Sequence, residues 1–355
     1  MTNLSDAELI GTPVAPSERS ARLAEYLGQL MREKVKVTSL EQIEGGFSRY
    51  TYRALIEDQR GEQRTFALRA EAGDSVLETD LGREFAIVRA LSDHGFVLPD
   101  VLGFEATGEV LGRRFITTAW AAGSAINPWR TKDESRAAQD EQLCRSWIAD
   151  IATLHAIDPD ILRSAGVDDN VEAETYLKHE IDYWICRIRR ADHHPGPLVE
   201  VVCAWLERSL PAGGGTSIVH GDLRIGNMLV SGAQVTAFLD WEMAAVGDWR
   251  ADVGYCLMPY HAGKLLAPID PSSNGLVHPR EFLELYTGVT GRRLSDDEVA
   301  YFIVLGCVKM ISILCTGIDA YLSHRNSDPR LAWLNIAIPG LVQDALDLME
   351  KGLPW

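Results

Sequence analysis

Apolar positions recur with two different periods along this chain, and the change between them marks its organisation. Over residues 17–34, Leu23, Tyr26, Leu27, Leu30 and Met31 fall at helical spacing between charged residues, which predicts an amphipathic surface helix. From Val35 the period shortens to two. Val35-Lys36-Val37 alternates, the paired glycines of Ile43-Glu44-Gly45-Gly46-Phe47-Ser48 interrupt, and Tyr50, Tyr52, Ala54 and Ile56 alternate again. Asp58-Gln59-Arg60-Gly61-Glu62 reads as a turn, and Thr65 to Arg69 as the next strand. Leu81, Phe85, Val88 and Leu91 then line one face of a helix, and residues 101–105 and 113–119 suggest a further hairpin around Gly108 and Gly112. Residues 35–119 thus predict a small antiparallel sheet with one helix, and the small residues of Ala121-Ala122-Gly123-Ser124-Ala125 suit a hinge.

Beyond Asp133 the helical period dominates. Leu143, Trp147, Ile151 and Leu154 share a face, and 172–190, 197–210, 280–288, 296–322 and 339–350 are further helical stretches. Between them lie a short apolar strand, Ser217-Ile218-Val219, and a hairpin across Met228-Leu229-Val230 and Thr236-Ala237-Phe238-Leu239. The most apolar run, Ile303 to Ile318, is interrupted by Lys309 and closed by Asp319. It is short of the roughly 20 apolar residues that a bilayer needs, so a buried core helix is expected there.

Length and charge narrow the picture. A chain of 355 residues suits two lobes better than one, and 46% hydrophobic residues suffice for a sizeable core. A net charge of −17 argues against nucleic-acid or anionic-membrane partners, yet leaves room for a local basic pocket. Cys144, Cys186, Cys203, Cys256, Cys307 and Cys315 form no C-x-x-C pair and no zinc-like spacing, so free thiols in a reducing compartment are expected. The first residues show no basic and apolar signal pattern, and cytoplasm is the expected location.

The chemistry concentrates in Val219-His220-Gly221-Asp222-Leu223-Arg224-Ile225-Gly226-Asn227-Met228-Leu229, followed by Leu239-Asp240-Trp241-Glu242. Asp222 and Asn227 lie five apart after a strand, and Asp240 ends the next hairpin. This spacing lets three oxygen-bearing side chains converge from adjacent strand ends. Amide and carboxylate oxygens suit a hard cation such as Mg²⁺, which usually shares its sphere with substrate phosphates. Phosphoryl transfer needs this set, together with a carboxylate beside the attacking hydroxyl.

H-G-D-x₄-N followed by a separate Asp resembles the aminoglycoside phosphotransferase-like branch of the protein-kinase-like superfamily, related to choline and homoserine-type kinases. The run Asp240-Trp241-Glu242, Gly247-Asp248 and Ala251-Asp252-Val253-Gly254-Tyr255 is similar to a subgroup found alone in bacteria and fused to acyl-CoA dehydrogenase domains in animals. The resemblance implies an α+β, two-lobed fold. Residues 1–34 would be a helical extension, 35–120 a nucleotide-binding N-lobe with an antiparallel sheet, and 121–355 a mainly helical C-lobe. It also implies an enzyme that uses ATP and Mg²⁺ to phosphorylate a hydroxyl of a small molecule.

Carried over by position, the resemblance makes Asp222 the catalytic carboxylate and Asn227 and Asp240 the metal ligands. Glu242 would stand near a second metal or its water, while His220 and Asp252 would brace the loop. Gly45, Gly46, Phe47 and Ser48 resemble the phosphate-covering turn, although they depart from the protein-kinase G-x-G-x-x-G pattern. Arg69 stands where the superfamily usually has a phosphate-binding Lys, with Glu84 as its expected partner, and Thr118, Ala119, Trp120 and Ala121 match the adenine-binding hinge by position.

Arg224 and Arg250 flank the catalytic segment, where a cation could hold an anionic acceptor or steady the transferring group. The acceptor stays open between a hydroxyacyl-CoA, suggested by the subgroup, and an aminoglycoside or amino alcohol, which the negative net charge would attract. A nucleotide-binding protein without turnover is the third reading. Arg187, Arg189, Arg190, Arg224, Arg250 or Arg325 on the acceptor side would favour the thioester; Glu180, Asp182 or Asp319 would favour an amine.

Overall fold

A computed structural model describes residues 16–43, 48–72, 79–127, 134–167, 173–262 and 275–355. The chain divides into two compact units, residues 1–92 with 98–121, and residues 93–97 with 122–355.

The first unit opens with helix α1 (Pro16–Met31), followed by strands β1 (Val35–Ile43), β2 (Arg49–Asp58) and β3 (Gln63–Glu71). Helix α2 (Leu81–Asp93) and strands β4 (Val101–Glu105) and β5 (Phe115–Ala119) complete it. The five strands form one antiparallel sheet in the order β1-β2-β3-β5-β4. The period-two pattern sets its faces: Tyr52, Ala54 and Ile56 of β2 are buried, as are Phe66, Leu68 and Ala70 of β3. Helix α1 buries Leu23 and Leu27, one turn apart, in this same core and belongs to the unit. Tyr26 meets Phe115 edge to face, with ring centroids 5.2 Å apart. The β2–β3 turn is closed by Asp58, whose Oδ1 accepts the N–H groups of Arg60 and Glu62 at 2.8 and 3.0 Å.

The second unit carries strand β6 (Ser124–Ala125) and helices α3 (Ala137–Ala156), α4 (Asp160–Ser164), α5 (Ala173–Arg190) and α6 (Pro197–Arg208). Strands β7 (Thr216–Val219), β8 (Met228–Ser231), β9 (Gln234–Phe238) and β10 (Ala245–Asp248) follow, then helix α7 (Trp249–Cys256). Helices α8 (Pro279–Thr290), α9 (Asp296–Leu322), α10 (Pro329–Trp333) and α11 (Ile338–Lys351) end the chain. Strands β7 and β10 pair with each other, and β6, β8 and β9 form a three-stranded sheet.

Helix α9 is the spine of the unit, packed by α5, α6, α7, α10 and α11. Its start is fixed by a capping box between Ser295 and Glu298. At 27 residues it is longer than the apolar run alone suggests, and it is long and apolar enough to cross a membrane. Burial is what that composition serves here: 83% of its most apolar window lies inside the protein. Gly254 lets α7 approach closely, because a Cβ there would collide with Phe302 of α9. All six cysteines are free.

Candidate active site

The segment after β7 leaves its strand at His220 and turns through Gly221, whose φ is 79°. A Cβ at this glycine would collide with the Met243 carbonyl, so the tight turn admits no side chain. Both sides of the turn are fixed by buried charge. Asp252 on α7 accepts the N–H groups of His220 at 2.7 Å and Gly221 at 2.9 Å. On the other side, the Gly221 carbonyl accepts a hydrogen bond from Lys309 Nζ in the middle of α9. Lys309 is itself 3.7 Å from Glu180 of α5 and lies over the rings of Trp184 and Tyr255, 5.2 Å from each centroid.

Asp252 stays ionised despite its surroundings. Burial alone pushes its carboxyl up, but His155 and the His220 and Gly221 amides more than offset this and hold it below the usual carboxylate range. His155 Nε2 is 3.3 Å from Asp252, and its Nδ1 is 2.8 Å from the Tyr286 hydroxyl. Neither His155 nor Lys309 was visible as a site residue in the sequence. His155 sits on an apolar helix face, and Lys309 reads there only as an interruption.

His220 is neutral. Burial pushes its imidazole below the usual value. Its ring bridges two strand ends: Nδ1 accepts the Asp222 N–H at 3.2 Å, and Nε2 donates to the Leu239 carbonyl at 2.9 Å. A neutral Nε2–H tautomer satisfies both bonds. The ring also packs 4.5 Å from that of Trp241.

Asp222, 14% exposed at its side chain, receives Asn227 Nδ2 on Oδ2 at 2.5 Å and on its own carbonyl at 3.0 Å. Arg224 Nε reaches its carboxylate at 3.3 and 3.4 Å. Burial alone would raise this carboxyl, yet Arg224 leads the groups that hold it below the ordinary range. The Tyr255 hydroxyl leans on the same charge without meeting full hydrogen-bond geometry.

Asn227 ends the short turn Ile225–Asn227, and its carbonyl accepts the Leu239 N–H at 2.8 Å. That bond ties it to the residue before Asp240. Asp240 holds a left-handed backbone, φ 62° and ψ 61°, uncommon for a non-glycine residue. Arg224 feels the charges of both Asp222 and Asp240. The Asn227 amide nitrogen is turned to Asp222, which leaves its oxygen as the atom to offer a cation. An amide oxygen and a carboxylate held by adjoining strand ends fit a hard divalent ion in donor chemistry. Glu242 is half-buried in the turn Trp241–Met243.

Arg250 is not a site cation. Its guanidinium is buried, bonded to Asp248 at 2.7–3.1 Å and to Glu298 at 2.5 Å. Asp248, two residues before it, captures the arginine and leaves it nothing to offer an acceptor. Other charges weighed from the sequence are also engaged elsewhere. Asp319 accepts the N–H groups of Asp192 and His193, each at 2.9 Å. Asp182 pairs with Lys178, and Arg189 with Glu200 and Glu207.

In the first unit, Arg69 Nη2 is 3.5 Å from Glu84 Oε1. Glu84 is 3% exposed at its side chain and is shared: Arg49 Nε and Nη2 each lie 3.3 Å from Oε2. Arg49, next to the Gly-Gly turn, had no signal in the sequence beyond its position. The N–H of Ala119 donates to Asp100 at 2.8 Å and that of Trp120 to Thr65 at 3.1 Å, so both donors are spent within the sheet. Thr118 is buried, and Trp120 is exposed beneath the Arg53 guanidinium, 5.2 Å from its ring centroid. Ser48 is half-buried, while Gly45, Gly46 and Phe47 lie outside the described residues.

Comparison with known proteins now decides the class, because residues 39–286 match the profile of the phosphotransferase enzyme family. The chain belongs to that family. This phosphotransferase is 28% identical over 252 residues to acyl-CoA dehydrogenase family member 10 of Mus musculus, covering 67% of this chain and 22% of the relative. It is 24% identical over 341 residues to family member 11 of Homo sapiens, covering 93% of this chain and 42% of the relative. The chain thus spans less than half the length of these curated relatives.

Among solved structures, a candidate aminoglycoside phosphotransferase of Ralstonia eutropha superposes with a TM-score of 0.72 at 20% identity, covering 94% of this chain and 98% of that one. A choline/ethanolamine kinase family protein of Mesorhizobium loti gives 0.56 at 18%, covering 88% of each chain. The GDP complex of an aminoglycoside 2'-phosphotransferase gives 0.59 at 15%, covering 92% and 99%. These likenesses show a two-lobed, kinase-like fold.

A stability prediction arises at His261, beside the site. Burial first, then Arg224 and Lys309, push its imidazole from 6.5 down to about 3. The unfolded chain therefore binds a proton near pH 6.5 that the folded protein refuses until about pH 3, and stability falls as pH drops through that window. Between pH 7 and 5 this one residue should cost about 2 kcal/mol. Urea melts at the two pH values should show the loss in the parent and a smaller one in His261→Phe.

Proposed function

We propose that this phosphotransferase moves the γ-phosphoryl group of ATP to a hydroxyl of a small molecule, with a hydroxyacyl-CoA as the acceptor. The observation that carries the reading is the charged Asp222 carboxylate, hydrogen-bonded to Asn227 on a turn that Asp252 and Lys309 fix from both sides. The acceptor oxygen forms the new P–O bond while the bond from the γ-phosphorus to the β-bridging oxygen breaks, ADP leaves, and Asp222 takes the hydroxyl proton. Because its pKa is depressed, Asp222 is a weak base for an alcohol. It aligns the hydroxyl first and receives the proton late, when the new bond has made the oxygen acidic.

Asn227 and Asp240 would hold Mg²⁺, which supplies charge neutralisation at the phosphate oxygens when bound. Arg69, positioned by Glu84, would pair with nucleotide phosphate, together with Gly45, Gly46, Phe47 and Ser48. Thr118, Ala119 and Trp120 would flank the base. Glu242 stands near enough in sequence to Asp240 to support its ligand geometry, and His220 and Asp252 position the loop.

Two facts support the thioester: the curated relatives are named for acyl-CoA dehydrogenation, and the cation Arg224 stands 3.3 Å from Asp222. Phosphorylating a hydroxyl makes it a good leaving group for later elimination. The net charge of −17 favours the second reading, a cationic amino alcohol or aminoglycoside.

ADP release with Mg-ATP decides between them, using 3-, 4- and 5-hydroxyacyl-CoA thioesters against kanamycin, choline and homoserine. Turnover of a thioester alone is the expected result. Turnover of an amine alone moves the enzyme to the second reading, and silence with all acceptors removes the kinase assignment for both classes.

A further inference from the structure

Beside Asp222, the second unit buries polar atoms that the protein leaves unsatisfied. His261 Nε2, in the turn after α7, is buried with no hydrogen-bond partner among the described residues, and Tyr255 Oη on α7 is buried beside Asp222 without a full hydrogen bond. The two ring centroids lie 4.5 Å apart with the planes tilted by 53°, so the two side chains form one wall. An unpaired buried polar atom costs about 1–3 kcal/mol, and two on one wall are a standing demand for a ligand. Both lie within electrostatic reach of Asp222, and Tyr260 feels Asp222 and Arg224 as well.

The charges around this wall restrict the ligand. Lys309 already occupies one face of the Tyr255 ring, 5.2 Å from its centroid. Arg224 already balances Asp222 at 3.3 Å. Glu180, the further carboxylate nearby, faces Lys309 at 3.7 Å. An incoming ammonium would meet two resident cations, and the carboxylates there already face them: Asp222 faces Arg224, and Glu180 faces Lys309 through Oε1, although its Oε2 has no hydrogen-bond partner among the described residues. A carbonyl oxygen, in contrast, accepts from the Tyr255 hydroxyl and from a neutral imidazole N–H together.

We propose that Tyr255 and His261 form the acceptor subsite next to Asp222, and that they hold the carbonyl oxygen of a hydroxy-acyl acceptor while excluding an ammonium. The proposal rests on the kinase reading for its biological meaning, but binding tests it separately. Two hydrogen bonds to one oxygen also fix the distance from that carbonyl to the reacting hydroxyl, so the subsite selects among positional isomers.

The test is calorimetric titration of the full chain, in the presence of ADP, with 4-hydroxybutyryl-CoA and with choline. Parent, Tyr255→Phe and His261→Phe are compared, since both variants keep an aromatic ring at the position. Thermal melts confirm that each variant is folded. The expected result is thioester binding weakened about tenfold or more in each variant, with ADP affinity unchanged and choline unbound by the parent. Equal thioester affinity in parent and both variants overturns the subsite, as does choline binding that depends on Tyr255 or His261. No thioester binding by the parent also overturns it.

Parallel ADP-release assays separate the two claims. Turnover that ignores both substitutions leaves the kinase reading standing and sinks the subsite. Binding that depends on them without turnover supports the subsite and sinks the kinase reading.

Discussion

Asp222→Asn is expected to lower phosphoryl transfer by about 10²–10⁴-fold while leaving nucleotide affinity nearly intact. The substitution keeps the shape of the side chain and removes its charge and its capacity to take a proton. Arg224, 3.3 Å away, loses its partner, and the Asn227 amide, 2.5 Å from Oδ2, meets either an amide oxygen or an amide nitrogen. The backbone of the turn should survive, because its anchors are Asp252 and Lys309 rather than the Asp222 side chain. Single-turnover kinetics beside an ADP-binding isotherm check the split. A loss in the rate below tenfold would remove Asp222 from proton handling. A loss in nucleotide binding equal to the loss in rate would show damage to the site at large.

Arg250→Ala carries the largest expected effect on stability. Asp248 is 1% and Arg250 2% exposed at their side chains, and the guanidinium also reaches Glu298, 2.5 Å away. Truncating the arginine leaves a buried carboxylate at the start of α7 without its ion partner and with only the backbone N–H of residue 250 to bond, a loss that typically costs about 3–5 kcal/mol. In a unit of this size that is a fall in melting temperature on the order of 10 °C. Calorimetry should show the fall, and Asp248→Asn in the same background should recover part of it by removing the stranded charge. An unchanged melting temperature would mean that Asp248 finds another partner.

These two residues also show what a sequence reveals and what it hides. Asp222, Asn227 and Asp240 stand out because phosphoryl transfer requires fixed residue types, and a strand–turn–strand imposes fixed spacing on them. The sheet of the first unit is legible for a similar reason, since alternating burial writes a period of two into β2 and β3. The pairing of Arg69 with Glu84 is legible too, and the structure has them 3.5 Å apart.

Lys309 is hidden. Its decisive partner is the Gly221 carbonyl, 88 residues away, and a backbone oxygen leaves no mark in the sequence. His155 is hidden likewise, because its partner Asp252 lies 97 residues on. Arg250 misleads in the opposite way. Its closeness in sequence to the catalytic segment suggests service to a ligand, but Asp248, closer still, captures it.

The turn at Gly221 is braced from both sides by groups of the protein itself, and Asp222 is charged before any acceptor arrives. A base held ready in this manner does not distinguish an alcohol from a water molecule. On the proposed reading, slow hydrolysis of ATP without acceptor is therefore expected. That futile background, rather than zero, is the baseline from which any gain on adding a true acceptor must be counted.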